Sequence, residues 1–170
     1  GSSVTSFTYA NGFLETINPP VNAGPNLPTI TFGYSKDGNG NVTSKRPNTV
    51  SVRTVAAGNG QPIVFSLQWN SDGTLASVVD AQGAEVDYVH YANGAIKDVI
   101  SKWANGTAVA KTTFAYDHLG GRLTDIETYG FSNGVQALLA QVHHDYDDAG
   151  NFAGASGDTE PFTLERDPLG

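Results

Sequence analysis

The sequence predicts an all-β protein of consecutive antiparallel β-hairpins, laid out as an open curved or spiralling sheet or, alternatively, closed into a barrel or sandwich. Three observations carry this. One unit recurs along the chain: two apolar or aromatic residues at i and i+2, a short Asn/Asp/Gly turn, then an apolar residue just past the turn. Asn-Gly pairs stand at Asn11, Asn39, Asn59, Asn93, Asn105 and Asn133, more turn punctuation than a helical protein carries. Beyond the turn, successive apolar residues often lie three apart, where strict alternation requires two or four.

The copies run in order. Phe7-Thr8-Tyr9 leads through Asn11-Gly12 to Leu14 and Ile17, and Phe32-Gly33-Tyr34 leads through Asp37-Gly38-Asn39-Gly40 to Val42. Leu67-Gln68-Trp69 precedes Asp72-Gly73, Leu75 and Val78, and Val89-His90-Tyr91 precedes Asn93-Gly94, Ile96 and Val99. Phe114-Ala115-Tyr116 precedes Gly120-Gly121, Leu123 and Ile126, and His144-Asp145-Tyr146 precedes Asp148-Ala149-Gly150 and Phe152. The i, i+2 spacing puts both large side chains on one strand face. Asn-Gly and Asp-Gly supply the positive φ of tight hairpin turns. A bulge in the second strand absorbs the extra residue between Leu14 and Ile17 and its equivalents. Tyr9, Tyr34, Trp69, Tyr91, Tyr116 and Tyr146 are therefore expected at equivalent strand positions before a turn, on a common face.

Between the copies, Pro19 to Pro28 reads as an extended loop, and Thr49 to Val55 as an extra strand within the long spacer of residues 43–63. Val135 to Tyr146 also fits a helix through Val135, Leu138, Leu139 and Val142. It occupies a slot that strands fill elsewhere, so it reads as strand.

Composition narrows the function. The 170 residues suit a single repeat domain spanning 1–170, and 39% apolar content is enough to bury a core. Net charge is −8, so there is no basic footprint for nucleic acid. No stretch approaches the ~20 apolar residues of a membrane span. Cysteine is absent, which excludes disulfides, thiolate metal sites and a Cys nucleophile but does not settle the compartment. Methionine is absent too, and Gly1-Ser2-Ser3 reads as a tag remnant or a cut within a longer protein. At the other end, Leu164 and Arg166 fall in the i, i+2 positions and Asp167-Pro168-Leu169-Gly170 in the turn of a seventh hairpin. The expectation is a fragment of a longer array, which leaves edges near Phe7 and Phe162 open to edge-to-edge association. A closed barrel would instead pair the first and last strands with each other.

Two copies carry a family signature. Tyr116-Asp117-His118-Leu119-Gly120-Gly121-Arg122-Leu123 resembles the Tyr-Asp-x-x-Gly-Arg-Leu of YD repeats with one extra Gly, and Tyr146-Asp147-Asp148-Ala149-Gly150-Asn151-Phe152 follows it with Asn for Arg. Asp167-Pro168-Leu169-Gly170 matches the turn. The chain thus resembles the Rhs/YD-repeat family, which includes bacterial Rhs proteins, insecticidal toxin-complex shells and teneurins. The resemblance implies a sheet strip spiralling into a hollow shell, often around a toxin domain, in exported or displayed proteins. The family's self-cleaving core segment has no counterpart here, so no catalytic residues carry over.

Candidate chemistry is sparse. Asp37, Asn39 and Asn41 alternate like the start of a Ca²⁺ loop, but Val42 and Asn48 stand where its Gly and bidentate acid belong, so a Gly-rich turn is the better reading. His143, His144, Asp145, Asp147 and Asp148 are the densest ligand-type cluster. Alternation sends His143, Asp145 and Asp147 to one face and His144 and Tyr146 to the other, a solvated turn rather than a metal site. No carboxylate pair is marked out for glycoside hydrolysis, and no Gly-x-Ser-x-Gly occurs. Trp69, Tyr91, Trp103 and Tyr116 form a candidate aromatic binding surface for sugar, although at repeat spacing the hydrophobic ladder of the sheet is the better reading. The expected function is structural: a non-catalytic shell or scaffold segment of a secreted or cell-surface protein, without cofactors. Its partners are neighbouring repeats and an encapsulated polypeptide or a carbohydrate. The alternative is a stand-alone carbohydrate- or protein-binding β-domain, with an enzyme third.

Overall fold

A computed structural model describes residues 4–20, 28–53, 62–117, 121–158 and 162–163. These fall into two compact units, Gly1–Gly83 and Ala84–Gly170. The first holds β1 (Ser6–Ala10), β2 (Phe13–Asn18), β3 (Thr29–Gly33), β4 (Thr49–Arg53), β5 (Ile63–Trp69) and β6 (Leu75–Val79). The second holds β7 (Glu85–His90), β8 (Ile96–Lys102), β9 (Ala108–Tyr116), β10 (Leu123–Ser132), β11 (Val135–Tyr146), β12 (Phe152–Gly157) and β13 (Phe162–Thr163). Within each unit every strand pairs antiparallel with its sequence neighbours. The first and last strands of a unit do not pair with each other, so neither unit closes into a barrel. The fold is all-β, an open meander of consecutive hairpins, and no helix occurs among the described residues. Val135–Tyr146 is strand throughout, and the expected extra strand is present as β4. Asn59, most of the Pro19–Pro28 loop and the proposed seventh hairpin from Leu164 lie outside the described residues.

Alternation sorts the side chains into two faces. In the first unit Phe7, Ile17, Ile30, Val52 and Ile63 stand opposite one another strand by strand on one face. Thr8, Thr16, Thr31 and Ser51 form the matching row on the other, and the Thr8 and Thr16 hydroxyls hydrogen-bond. In the second unit Phe114, Ile126 and Val142 make an apolar row. The opposite face carries Asp98, Thr113, Glu127 and Gln141 in register.

The expected buried core is absent among the described residues. Ala155, at 7% exposure, is the one buried apolar residue among them, and none of their large side chains is fully enclosed. The apolar content is spread along cross-strand rows within single-layer sheets, so area leaves water by lateral contact between neighbours rather than by packing across an interior.

The three-residue spacing has the expected cause. In seven hairpins the second strand carries one unpaired residue shortly after the turn: Glu15, Ala76, Lys97, Val109, Thr124, Leu139 or Ala153. Thus Tyr9 faces Leu14 while Thr8 faces Thr16. Tyr9, Trp69, Tyr116 and Tyr146 share the ladder slot before this bulge, as expected. Two residues do not. Tyr91 is the first residue of its turn, and His90 fills the ladder slot opposite Ile96. Tyr34 follows β3 outside the strand, and Lys36 bridges Val42 in its place.

The turns also differ from the simple expectation. Among the described residues, both turn residues have positive φ at Asn11-Gly12 and Asn133-Gly134, the two-residue pattern. Elsewhere a three-residue loop is closed by Gly40, Gly73, Gly94, Gly106 or Gly150, whose φ values lie between 80 and 91°. In each, the N–H of the Gly donates to the carbonyl three residues back. In Asn93-Gly94 and Asn105-Gly106 the Asn acts through its side chain, which accepts the N–H two residues on. Asp37 and Asp147 do this from the first turn position, accepting from the backbone and side chain of Asn41 and Asn151.

Consecutive hairpins are clamped together. The Tyr146 hydroxyl donates to the carbonyl of Leu123 at 2.8 Å, and the Arg122 guanidinium lies over the Tyr146 ring at 5.0 Å. The Trp69 indole N–H donates to the carbonyl of Pro47 at 2.8 Å, and Arg46 lies over the Trp69 ring at 5.5 Å. The Tyr34 hydroxyl donates to the carbonyl of Leu14 at 2.9 Å, with the Phe13 ring at 5.4 Å in the place of the arginine. Each time, an aromatic at the end of one strand caps the start of the strand before it. Arg46 and Arg122 also lie against Gly73 and Gly150, where a Cβ would push the guanidinium aside.

Gly106 and Gly150 have nearly the same φ, but open space surrounds Gly106. Either Gly→Ala change imposes the left-handed backbone cost of about 1–2 kcal/mol. Gly150→Ala also displaces Arg122 from Tyr146, adding about 0.5–1 kcal/mol. Urea melts of the two variants should show the larger loss at Gly150; equal losses would mean the stack contributes nothing.

Candidate functional site

The predicted aromatic surface is only partly assembled. Tyr91 opens the β7–β8 turn and Tyr116 ends β9, and because β8 runs between them both stand at one end of the second unit. Their rings meet edge to face at 5.9 Å. The Tyr91 hydroxyl donates to the carbonyl of Phe114 at 3.0 Å, and Lys97 stands 5.9 Å over the Tyr91 ring. Trp103, 61% exposed, opens the β8–β9 turn at the opposite end of β8, away from Tyr91. Trp69 lies in the first unit, held by Pro47 and Arg46. The four aromatics are thus ladder ends or turn residues, and one pair shares a site.

That pair opens onto a cleft of about 500 Å³ lined by Tyr91, Ala92, Asn93, Ala115, Tyr116, Asp117 and Gly121. Several of its polar groups are engaged within the chain. The Asn93 side-chain oxygen accepts from Ala95 N–H, and the Asp117 carboxylate is held by Arg122 through the backbone N–H, Nε at 2.7 Å and a second guanidinium nitrogen at 2.5 Å. The cleft offers two aromatic rings and a polar rim to a ligand. This suits stacking on an apolar or sugar face.

The residues 143–148 divide as alternation predicts. His144 lies at 5.7 Å from the Phe152 ring, and Tyr146 at 6.0 Å from the same ring. His143 points the other way, with Nδ1 2.6 Å from Asp125 and Nε2 3.6 Å from Asp145. This pairing across β10 and β11 was not visible in the sequence, since Asp125 lies in another strand. Asp147 is taken up by its turn. At the other candidate cation loop, Asp37 is likewise spent on its turn. Hydrogen bonds from the Asn41 backbone and side chain and from Asn39 hold its carboxyl below the ordinary range.

The same face of the second unit carries further ion pairs. Lys102 contacts Asp87 and lies 3.4 Å from Glu85. The largely buried Asp98 accepts from Thr113 Oγ1 at 2.8 Å and lies 3.3 Å from Lys111.

No protein-family model and no curated protein matches the chain. Among solved structures it is similar to a TcdB2-TccC3 crystal structure, at 13% identity and a TM-score of 0.45, over 92% of this chain and 9% of that one. It is also similar to the Tc holotoxin pore of Photorhabdus luminescens, at 13% identity and a TM-score of 0.45, over 94% of this chain and 9% of that one. At this identity and score the likeness assigns neither family nor function.

The His143–Asp125 pair makes stability depend on pH. The hydrogen bond to Asp125 raises the His143 pKa above its ordinary 6.5, and the same bond lowers that of Asp125 below 3.8. The histidine contribution is complete below about pH 6.5 and is lost as pH rises through the raised value; the aspartate contribution is present above about pH 3.8 and is lost as pH falls through the lowered one. The side chains are 45% and 34% exposed, so solvent screening holds the effect under about 1 kcal/mol. Urea midpoints should fall between mildly acidic and alkaline pH, and His143→Gln should remove that part of the slope. An unchanged slope in the variant would assign the pH dependence to other groups.

Proposed function

We propose that the chain is a non-catalytic structural strip, a shell or scaffold segment within a longer array of a secreted or cell-surface protein of the YD/Rhs kind. The observation that carries this reading is the clamp of Arg122 and Leu123 on Tyr146. It puts the Arg-Leu of one signature copy and the Tyr of the next into one contact, so the signature residues serve to join hairpin to hairpin. Such nearest-neighbour coupling is what a repeat array needs. Its partners on this reading are neighbouring repeats, and an enclosed polypeptide is the cargo to which the shell role leads.

A second reading rests on the Tyr91–Tyr116 cleft. Two rings beside a polar rim suit a saccharide, which makes the chain a carbohydrate-binding β-domain.

One pair of measurements separates the two. Inserting a second copy of residues 117–146 directly after Tyr146 adds two strands and one clamp in frame with the meander. The scaffold reading expects a folded protein with a higher urea midpoint; a chain that no longer folds would count against it. In parallel, glycan-array binding should be absent. Saturable binding abolished by Tyr116→Ala would establish the cleft as the functional site instead.

A further inference from the structure

Among the described residues, the β10–β11 hairpin leaves one backbone edge open in the interior of the sequence. β10 pairs with β11 along its length, from Ser132 opposite Val135 to Asp125 opposite His143. β12 pairs with β11 only from Val142 to Tyr146. What stops it is local. Gly157, at φ 142°, lies so close to the Gln141 carbonyl that no Cβ fits, and Asp158 then closes the pairing. Its N–H donates to the Gln141 carbonyl at 3.1 Å, and its carboxylate accepts the Gln141 N–H at 2.5 Å. Beyond that point residues 135–140 have β10 on one side and no strand on the other among the described residues.

The side chains of this edge are unusual for an unpaired strand. Val135-Gln136-Ala137-Leu138-Leu139-Ala140 carries no charge and no proline, and Val135, Leu138 and Leu139 are 68%, 50% and 66% exposed. Free edges are ordinarily blunted by Lys, Pro, inward-pointing charge or a bulge, and of these the segment has only the bulge at Leu139, which leaves Val135 to Leu138 regular. We propose that residues 135–140 form a self-association edge, through which two copies of the chain pair antiparallel about a two-fold axis.

Three considerations select a second copy as the occupant. An unpaired strand edge is filled by another extended backbone, since its N–H and C=O groups recur at strand spacing. An antiparallel pair of identical segments is self-complementary, and with no charged side chain in residues 135–140 no register sets like charges opposite each other. The chain as a whole carries −8, so copies repel elsewhere, and an uncharged, apolar edge is where they approach at least cost. A charged partner peptide would find no complementary charge there. The edge of β1, with Phe7 and Tyr9 exposed, lies at the end of the described strands and so carries no comparable argument.

Sedimentation equilibrium over two orders of magnitude in protein concentration, at low and high NaCl, tests the proposal. The weight-average mass should climb from 17.8 kDa toward twice that, further at high salt because screening relieves the repulsion between acidic copies. Gln136→Lys and Leu139→Lys, made separately, should each weaken association at least tenfold while leaving the thermal melt in place, since both side chains are exposed. Exchange of those amides of residues 135–140 whose N–H groups face away from β10 should slow only at concentrations where the dimer forms. A monomer under all conditions would overturn the proposal. So would a dimer indifferent to both lysines, which would place association elsewhere. Slow exchange of these outward-facing amides in the dilute monomer would show the edge already covered within the chain, with the same consequence.

Discussion

A sheet one layer thick has no interior, so its cohesion must come from contacts between neighbouring strands and hairpins. That constraint governs the rest of this structure. Cross-strand rows such as Phe7–Ile17–Ile30–Val52–Ile63 bury area laterally, and hydrogen bonds from Tyr34, Trp69 and Tyr146 tie the end of one strand to the start of the strand before it. The bonding atom belongs to a large ring, so one side chain supplies both apolar contact and a directed polar bond. Where Arg46 and Arg122 cover that ring, their guanidinium ends also lie against the positive-φ turn glycines Gly73 and Gly150, which joins turn chemistry to clamp chemistry.

The same constraint divides the two faces. In the second unit, ion pairs and hydrogen bonds around Asp98, Lys102, Lys111 and His143 occupy one side, while Phe114, Ile126, Val142 and the His144–Phe152 contact occupy the other. The ion pairs are partly exposed and contribute little each. Their effect is to make one side of the sheet wettable while the other keeps its apolar rows. The bulge recurring in seven hairpins keeps this sorting in phase, because each of them skips one residue at the same place.

Much of this was legible in the sequence. The interval from Leu14 to Ile17 is one residue too long for alternation, and the register places an unpaired Glu15 within it. The equivalents at Ala76, Lys97 and Thr124 follow the same rule. What escaped depended on counting from the right glycine. Tyr91 lies three residues before Gly94, whereas Trp69 and Tyr146 lie four before Gly73 and Gly150, and that difference moves Tyr91 from ladder to turn. Near Tyr34 the turn closes at Gly40 rather than Gly38. The aromatic surface came apart because spacing says nothing about which end of a strand a turn occupies, and Trp103 opens the opposite one. Composition suggested a core because apolar content does not distinguish an interior from rows on a single layer. The open edge of β11 depends on where Gly157 and Asp158 end the pairing of β12, a relation between strands that no local pattern carries.

The clamps also determine how such a sheet yields to force. Each joins positions 20 to 23 residues apart. Tension applied along the chain loads the hydrogen bonds of a meander one rung at a time, as in opening a zipper, rather than all together in shear. A clamp is the point at which that opening pauses. Each rupture then releases about 70–80 Å of extended chain, so a strip of this kind absorbs mechanical work in increments of similar length.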